Sequence, residues 1–272
     1  KIISPIFIII LNIFNVQVAN SQTTAPKSVF LEDLTWTEAR DFIDNGGTSI
    51  IIPTGGTEQS GPHVILGKHN YRVKYMSEKI ARELGNVLVA PTIAYVPEGN
   101  IEPAEDLMKF TGTISLPEEY FIKLLEYTCR SLKQHGFIDI FLIGDSGGNQ
   151  NALKIVSKTL SEEWKDTEFR VHYVSDYYGS PYNQVYDSLA ATGLTKDELG
   201  AHGGVIDASF LLAVDSSLIR TDLLLNSLWD NELKEKMGFT GDISNVNVEI
   251  GRSMIDKTFR NSILQIPLLK VN

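Results

Sequence analysis

The sequence is poor in cysteine and in basic residues, and it has no apolar run long enough to cross a bilayer comfortably. Cys129 is the only cysteine in 272 residues, which excludes an intrachain disulfide. It falls in the helical pattern of residues 121–129 and reads as a small buried hydrophobe rather than a nucleophile. Lys and Arg number 24 against 34 Asp and Glu, giving a net charge of -10 and a pI near 5.0. That deficit excludes the cationic surface through which proteins release counterions from nucleic acids, so no nucleic-acid partner is expected. There is also no internal repeat, low-complexity tract or Pro/Gly-rich linker. With 43% hydrophobic residues the remaining chain reads as one α/β domain over residues 29–272, preceded by a flexible lead-in at 22–28.

Residues 1–21 differ from the rest. Lys1 precedes a short apolar core ending at Phe14, and small residues stand at Ala19 and Ser21. This is the pattern of a secretory signal peptide cut near Gln22, too short and interrupted for a span of ~20 residues. The expectation is a periplasmic or secreted protein with no stable membrane span after processing; a retained N-terminal anchor is the alternative.

What the sequence does have is a strand-to-loop pattern used more than once. The apolar run Ser49–Pro53 opens into Thr54–Asn70, a Gly- and Pro-punctuated loop carrying Glu58, His63 and His69, two of the chain's five histidines. The run Ile138–Ile143 opens into Gly144–Asn149, with Asp145 and Ser146, before a helix from Asn151. A third loop, Ala201–Ser209, carries His202 and Asp207 just before a helical run from Phe210. In open parallel sheets such loops gather at the carboxyl ends of the strands, so residues far apart in sequence can meet in one crevice.

The remaining segments read as a helix from Trp36 to about Asn45 with Thr35 as N-cap, a helix from Tyr71 to Leu84 ended by Gly85, and extended pieces at 87–90 and 93–96. A helix spans Pro117 to Gln134, and a strand at 169–174 holds His172 as a packed or rim residue rather than a ligand. The acidic stretch 97–109, with Glu98, Glu102, Glu105 and Asp106, reads as a solvated loop, or alternatively a lid. The Tyr-, Gly-, Pro- and Asn-rich segment 176–186 reads as an ordered loop whose aromatic faces can line a pocket.

Together these motifs resemble the creatininase (creatinine amidohydrolase-like) family. Its Glu-Gln-His-Gly-Pro-His-Leu-Pro-x-x-x-Asp loop is matched by residues 58–69, its Gly-Thr-x-Ser segment by 112–115 and its Asn-Gly-His-Gly-Gly-Asn loop by 144–149. Its His-Ala-Gly-x-x-Glu-Thr-Ser segment is matched by 202–209, and a late Gly-Asp segment by Gly241 and Asp242. The resemblance implies a three-layer α/β/α sandwich around a mainly parallel sheet. It also implies a metal-dependent amidohydrolase that cleaves a C–N bond of a small cyclic or linear amide, and a homo-oligomer.

Family ligand positions are substituted here: Ser60 and Ser146 stand where the family has histidines, and His69 where it has a bridging Asp. An imidazole offers one nitrogen to one ion where a carboxylate can bridge two, so a paired-metal site is replaced in this reading by a reordered one. Glu58, His69 and a third donor, Asp145 or else Asp207 or His202, would hold a divalent ion, zinc or manganese, with an open position for water; whether one or two ions bind stays open. The resemblance gives His202 a proton-transfer role and Asp207 a positioning role, with Ser60, His63 and Asn149 in support. Two rivals stand beside it. Gly144–Gly148 also fits Gly-x-Ser-x-Gly, making Ser146 a nucleophile with His202 as base and Asp187 as acid. Alternatively, the substitutions mark a catalytically silent small-ligand binder.

Overall fold

The computed structural model describes residues 27–225 and 229–270, so the expected signal peptide at 1–21 and most of the lead-in lie outside the described residues. The first helix, α1 (Trp36–Asp44), is started by a reciprocal cap: the Thr35 side chain accepts from Glu38 N and the Glu38 side chain from Thr35 N. Then come β1 (Ser49–Thr54), α2 (Lys68–Leu84), β2 (Val87–Val89), α3 (Glu118–Gln134), β3 (Asp139–Gly144), α4 (Gln150–Glu163) and β4 (Arg170–Tyr173). The chain ends in α5 (Gly179–Ala190), α6 (Lys196–Leu199), α7 (Val205–Val214), α8 (Asn231–Lys236) and α9 (Val248–Leu269).

The strands form one parallel sheet in the order β2-β1-β3-β4. Helices cover both faces, which is why β1 is buried at every position and its sequence runs apolar without alternation. Ile51, Phe141 and Ile143 pack on one face against Met76 and Ile80 of α2, Phe210 of α7 and Met254 of α9. Ile50, Ile52, Ile140 and Leu142 pack on the other against Phe121 and Cys129 of α3 and Leu153 of α4. Burying each such side chain contributes roughly 1.5–3 kcal/mol relative to leaving it exposed. The result is the expected three-layer α/β/α sandwich. Helices α7 and α9 approach closely because Gly251 has no Cβ; one would run into the Ser209 carbonyl.

From the central pair β1 and β3, the chain steps outward to β2 on one side and to β4 on the other. Crevices at such a reversal, beyond the carboxyl ends of the strands, are where sheets of this class bind ligands. Glu58 lies beyond the end of β1 and Asp145 directly after β3. The side chain of Asn149 holds the two ends together, donating to Thr54 Oγ1 at 2.9 Å and Gly55 O at 2.9 Å.

Some elements depart from the sequence reading. Helix α2 starts at Lys68 rather than Tyr71, so His69 is helical; the side-chain oxygen of Asn70 accepts from Gly56 N at 3.0 Å and ties this first turn to the β1 loop. Residues 179–186 are the start of α5, not a loop. The segment at 93–96 makes a bridge from Ile93 to Thr54 instead of a strand. His172 is packed as expected, stacked on Phe141 with its Nε2 donating to Asp139 at 2.8 Å.

Candidate active site

The first-loop carboxylate, Glu58, is buried, and the Leu66 carbonyl holds its backbone, accepting from Glu58 N at 2.9 Å. Its Oε1 faces His69 Nε2 at 2.8 Å and Lys68 Nζ at 3.0 Å. The other ring nitrogen of His69 faces Asp145 Oδ1 at 2.6 Å. Lys68 reaches two further acceptors, Ser60 Oγ and Asp207 Oδ2, each at 2.6 Å. Arg72, one helical turn on from Lys68, donates from Nε to Asp145 Oδ1 at 2.9 Å and also bonds Asp145 through Nη2 and Asp207 through Nη1. Tyr177 donates to the second oxygen of Asp145 at 2.9 Å, and Tyr182 to Asp207 Oδ1 at 3.2 Å. Lys68 and Arg72 are 1% and 0% exposed, so this network is closed to water.

The electrostatics follow from the contacts. Burial alone would raise the carboxyl pKa values of Glu58 and Asp207. Lys68 and His69 overcome that at Glu58, and Lys68 and Arg72 at Asp207, holding both well below the usual carboxylate range. Burial would strip the Lys68 ammonium of its proton, but Asp207 and Glu58 hold it on.

A second set of side chains borders this network. The His202 side chain is 31% exposed. Its Nε2 donates to the Gln59 carbonyl at 2.6 Å, which leaves the lone pair on Nδ1, 3.7 Å from Glu58 Oε1. Burial, and then the charge of Lys68, lower its pKa below 6.5 and keep the ring neutral at pH 7. Glu98 is buried beside Glu58, its side chain hydrogen-bonded to Glu58 and Ser146, and its Oε1 has no hydrogen-bond partner among the described residues. Burial and the adjacent Glu58 charge push its pKa up to about 10, so it carries a proton. The Tyr178 hydroxyl stands over Gly147; burial, with Asp207 and Asp145 nearby, pushes its pKa up to about 12. A cavity of about 740 Å³ lies alongside, lined in part by Tyr182, Tyr186, Ile206 and Phe239 and reaching Ala201 next to His202.

Glu58, His69 and Asp145 therefore meet, but not as an ion's donor set. The lobes that would face a metal face Lys68, Arg72 and one another, and among the described residues no group of three or more His, Cys, Asp or Glu side chains is arranged to hold an ion. Ser60 is committed to Lys68 and donates to the Gln59 carbonyl at 2.8 Å. His63 donates from Nε2 to the Gly203 carbonyl at 2.9 Å and braces the third loop against the first. Gly203 itself has φ +63, and a Cβ there would meet the Ser60 carbonyl.

Ser146 is buried and accepts from Gly148 N at 3.4 Å; His202 turns to Gln59 and Glu58 instead, and Asp187 is exposed on α5. The serine triad is therefore not assembled. Sequence reasoning missed Lys68, Arg72, Glu98, Tyr177, Tyr178 and Tyr182 as individual site residues. For the two cations a signal existed: buried Ile80 and Met76 lie on one helical stripe, and stepping back four residues at a time reaches Arg72 and then Lys68.

The chain matches the profile of the Creatininase family, described as creatinine amidohydrolase, over residues 32–264. It is 26% identical over 207 residues to creatinine amidohydrolase of Pseudomonas putida, an overlap of 74% of this chain and 77% of that one. Two solved creatininase structures, a zinc–zinc form carrying a point mutation and a manganese form, each match with a TM-score of 0.69 at 21% identity, covering 89% of this chain and 98% of theirs. Those structures support a divalent metal in the relatives and, at that identity, the fold of this chain. With the family match spanning all three site loops, the chain belongs to the Creatininase family and with it to the hydrolases of carbon–nitrogen bonds other than peptide bonds.

Proposed function

We propose that the protein hydrolyses the C–N bond of a small cyclic or linear amide, with His202 activating water and Glu98 protonating the leaving nitrogen. The observation that carries this reading is the pairing at Glu58 of a neutral imidazole, with Nδ1 3.7 Å from Glu58 Oε1, and a protonated carboxyl hydrogen-bonded to the same side chain, two groups whose surroundings drive them to opposite proton-transfer tasks. His202 Nδ1 takes a proton from water as the water oxygen bonds to the amide carbonyl carbon. In this reading the Tyr178 hydroxyl, protonated and close over Gly147, donates to the oxyanion. The C–N electron pair then leaves on nitrogen, which takes the proton of Glu98; the products are a carboxylic acid and an amine, and the proton on His202 returns to Glu98. No step passes through a metal, because Glu58 Oε1, both ring nitrogens of His69 and both carboxylate oxygens of Asp145 are engaged by Lys68, Arg72, Tyr177 and one another. A cavity of small-molecule size opens beside Tyr182 and Ala201, though His202, Glu98 and Tyr178 do not line it.

The test is amine release from a panel of small amides, creatinine included, by the wild type, His202→Ala and Glu98→Gln. Each variant is expected to lose on the order of 10²–10⁴-fold in kcat/KM. The profile of kcat/KM against pH should rise as His202 loses its proton below 6.5 and fall as Glu98 ionises near 10. Turnover that both variants retain would sink the assignment. One observation favours a second reading, a silent binder: the charges of the closed network are already matched within the protein. That reading expects saturable binding of a panel member with no amine released by the wild type. The proposed enzyme acts in the periplasm or outside the cell, after removal of residues 1–21, as a homo-oligomer; N-terminal sequencing and light scattering of the mature protein check both.

A further inference from the structure

We propose that Lys68 and Arg72 are built-in cations that take the place of the divalent ions of the relatives, so that this chain keeps its site closed without binding a metal. The Lys68 ammonium has three N–H bonds and three acceptors, Glu58 at 3.0 Å and Ser60 and Asp207 at 2.6 Å. It bridges two carboxylates as a divalent ion would, and the hydroxyl of Ser60 accepts its proton where the family motif has an imidazole. Arg72 does the same between Asp145 and Asp207, with two nitrogens on Asp145 and one on Asp207. Its guanidinium lies 4.8 Å from the centre of the Phe210 ring, which closes the side away from the carboxylates.

The substitutions fit together only on this reading. Replacing the bridging Asp by His69 removes a negative charge that two divalent ions would need. His69 now joins Glu58 to Asp145 at 2.8 and 2.6 Å, with no lone pair aimed at open space. Ser60 and Ser146 remove two imidazole donors, and at Ser60 the small hydroxyl is itself an acceptor for the Lys68 ammonium at 2.6 Å. A metal entering here would meet two full positive charges already within hydrogen-bonding distance of the same oxygens, and both the lysine and the arginine would have to leave a place that is 1% or less exposed. The consequence for the Proposed function is a division of labour: fixed cations keep Glu58 ionised beside His202, and proton transfer falls to groups at the network's edge.

The experiment reads metal content and melting temperature, so it does not depend on whether an amide is cleaved. The purified mature protein is incubated with Zn²⁺ or Mn²⁺, desalted and analysed for metal; melting is followed with each ion and with EDTA. The wild type is expected to retain well under one ion per chain, with a melting temperature that neither ion nor chelator moves. Retention of about one or two ions per chain with a melting temperature raised by them overturns the inference, since binding to the folded state must stabilise it. The double variant Lys68→Ala with Arg72→Ala exposes the carboxylates to solvent ions, and it is expected to melt much lower and to regain part of that loss when Mn²⁺ or Zn²⁺ is added. A folded double variant that the ions do not stabilise argues against replacement. If the double variant does not fold, the wild-type metal content decides alone. A metal-free protein that cleaves no amide leaves this inference standing and removes the proposed chemistry.

Discussion

Two neighbouring groups of polar side chains meet at Glu58 and are built on opposite terms. On one side Lys68, His69, Arg72, Asp145, Asp207 and Tyr177 are buried, and nearly every polar atom has a partner of opposite charge or a matching donor. On the other, His202, Glu98 and Tyr178 keep a free lone pair, an unpartnered carboxyl oxygen and a hydroxyl with no hydrogen bond among the described residues. A closed network contributes rigidity and fixed charge, whereas groups with unmet hydrogen-bonding capacity are available to a substrate. Positions that match the family's ligand motif here stay polar, and in this structure they are held by Lys68 and Arg72.

The comparison is broken most directly by removing one fixed cation. Arg72→Met keeps the length of the stem and deletes the guanidinium, leaving Asp145 and Asp207 buried with one fewer counter-charge. Breaking a buried pair on one side costs about 3–5 kcal/mol, so urea melts should show a large drop in stability. A drop below ~1 kcal/mol would mean that water reaches these carboxylates and that the network is not closed.

A matched pair of substitutions sharpens the contrast. Tyr177 and Tyr178 are adjacent in sequence, but only Tyr177 donates to a buried carboxylate, Asp145, at 2.9 Å. Tyr177→Phe should therefore cost about 1.5–3 kcal/mol of stability, the range for a hydrogen bond to a charged group. Tyr178→Phe removes a hydroxyl that makes no hydrogen bond among the described residues; its effect should fall on kcat, by about 10²-fold, with the melting temperature nearly unchanged. Equal effects of the two on both readouts would erase the distinction between network and edge.

How much of this the sequence discloses depends on whether the information is local. Strands β1 and β3 are legible because a doubly covered parallel strand carries a continuous apolar run through its middle, Ile50–Ile52 and Ile140–Ile143 here, and the loops after them are marked by Gly, Asp and Glu. The convergence of Glu58, Asp145, His202 and Asp207 follows from the sheet rule and is what the structure shows. Lys68 and Arg72 are hidden because charged residues on a helix normally signal its wet face; only the buried stripe through Met76 and Ile80 reveals otherwise. Glu98 could not be told from its neighbours Glu102, Glu105 and Asp106 by composition. It turns inward while they stay exposed because Ser115 holds its backbone N at 3.0 Å and the Pro97 carbonyl packs on Gly148, both contacts made across the chain. The tyrosines of α5 were legible as aromatics near a pocket, but the helix that aims them was not.

Glu98 supplies the effect that is smallest per step of the variable changed, and the one most specific to its sign. Its folded-state pKa, about 10, lies above the ordinary 4.5, so between those values the folded protein holds a proton that the unfolded chain has released. Stability must then fall as pH rises across that window, by up to ~1.4 kcal/mol per pH unit for one proton. The depressed groups act elsewhere: Asp207 contributes stability that is lost only as pH falls below the ordinary carboxylate range, and His202 contributes a loss only below 6.5. Glu98→Gln keeps the shape and the neutral charge but has no proton to lose, so its urea stability measured at about pH 7 and about pH 9 should show that much less decline per unit than the wild type. If both proteins decline with the same slope, Glu98 is ionised in the folded state. Its repulsion from Glu58 would then have to be met by Lys68, and the line drawn between the closed network and its edge would run on the other side of Glu98.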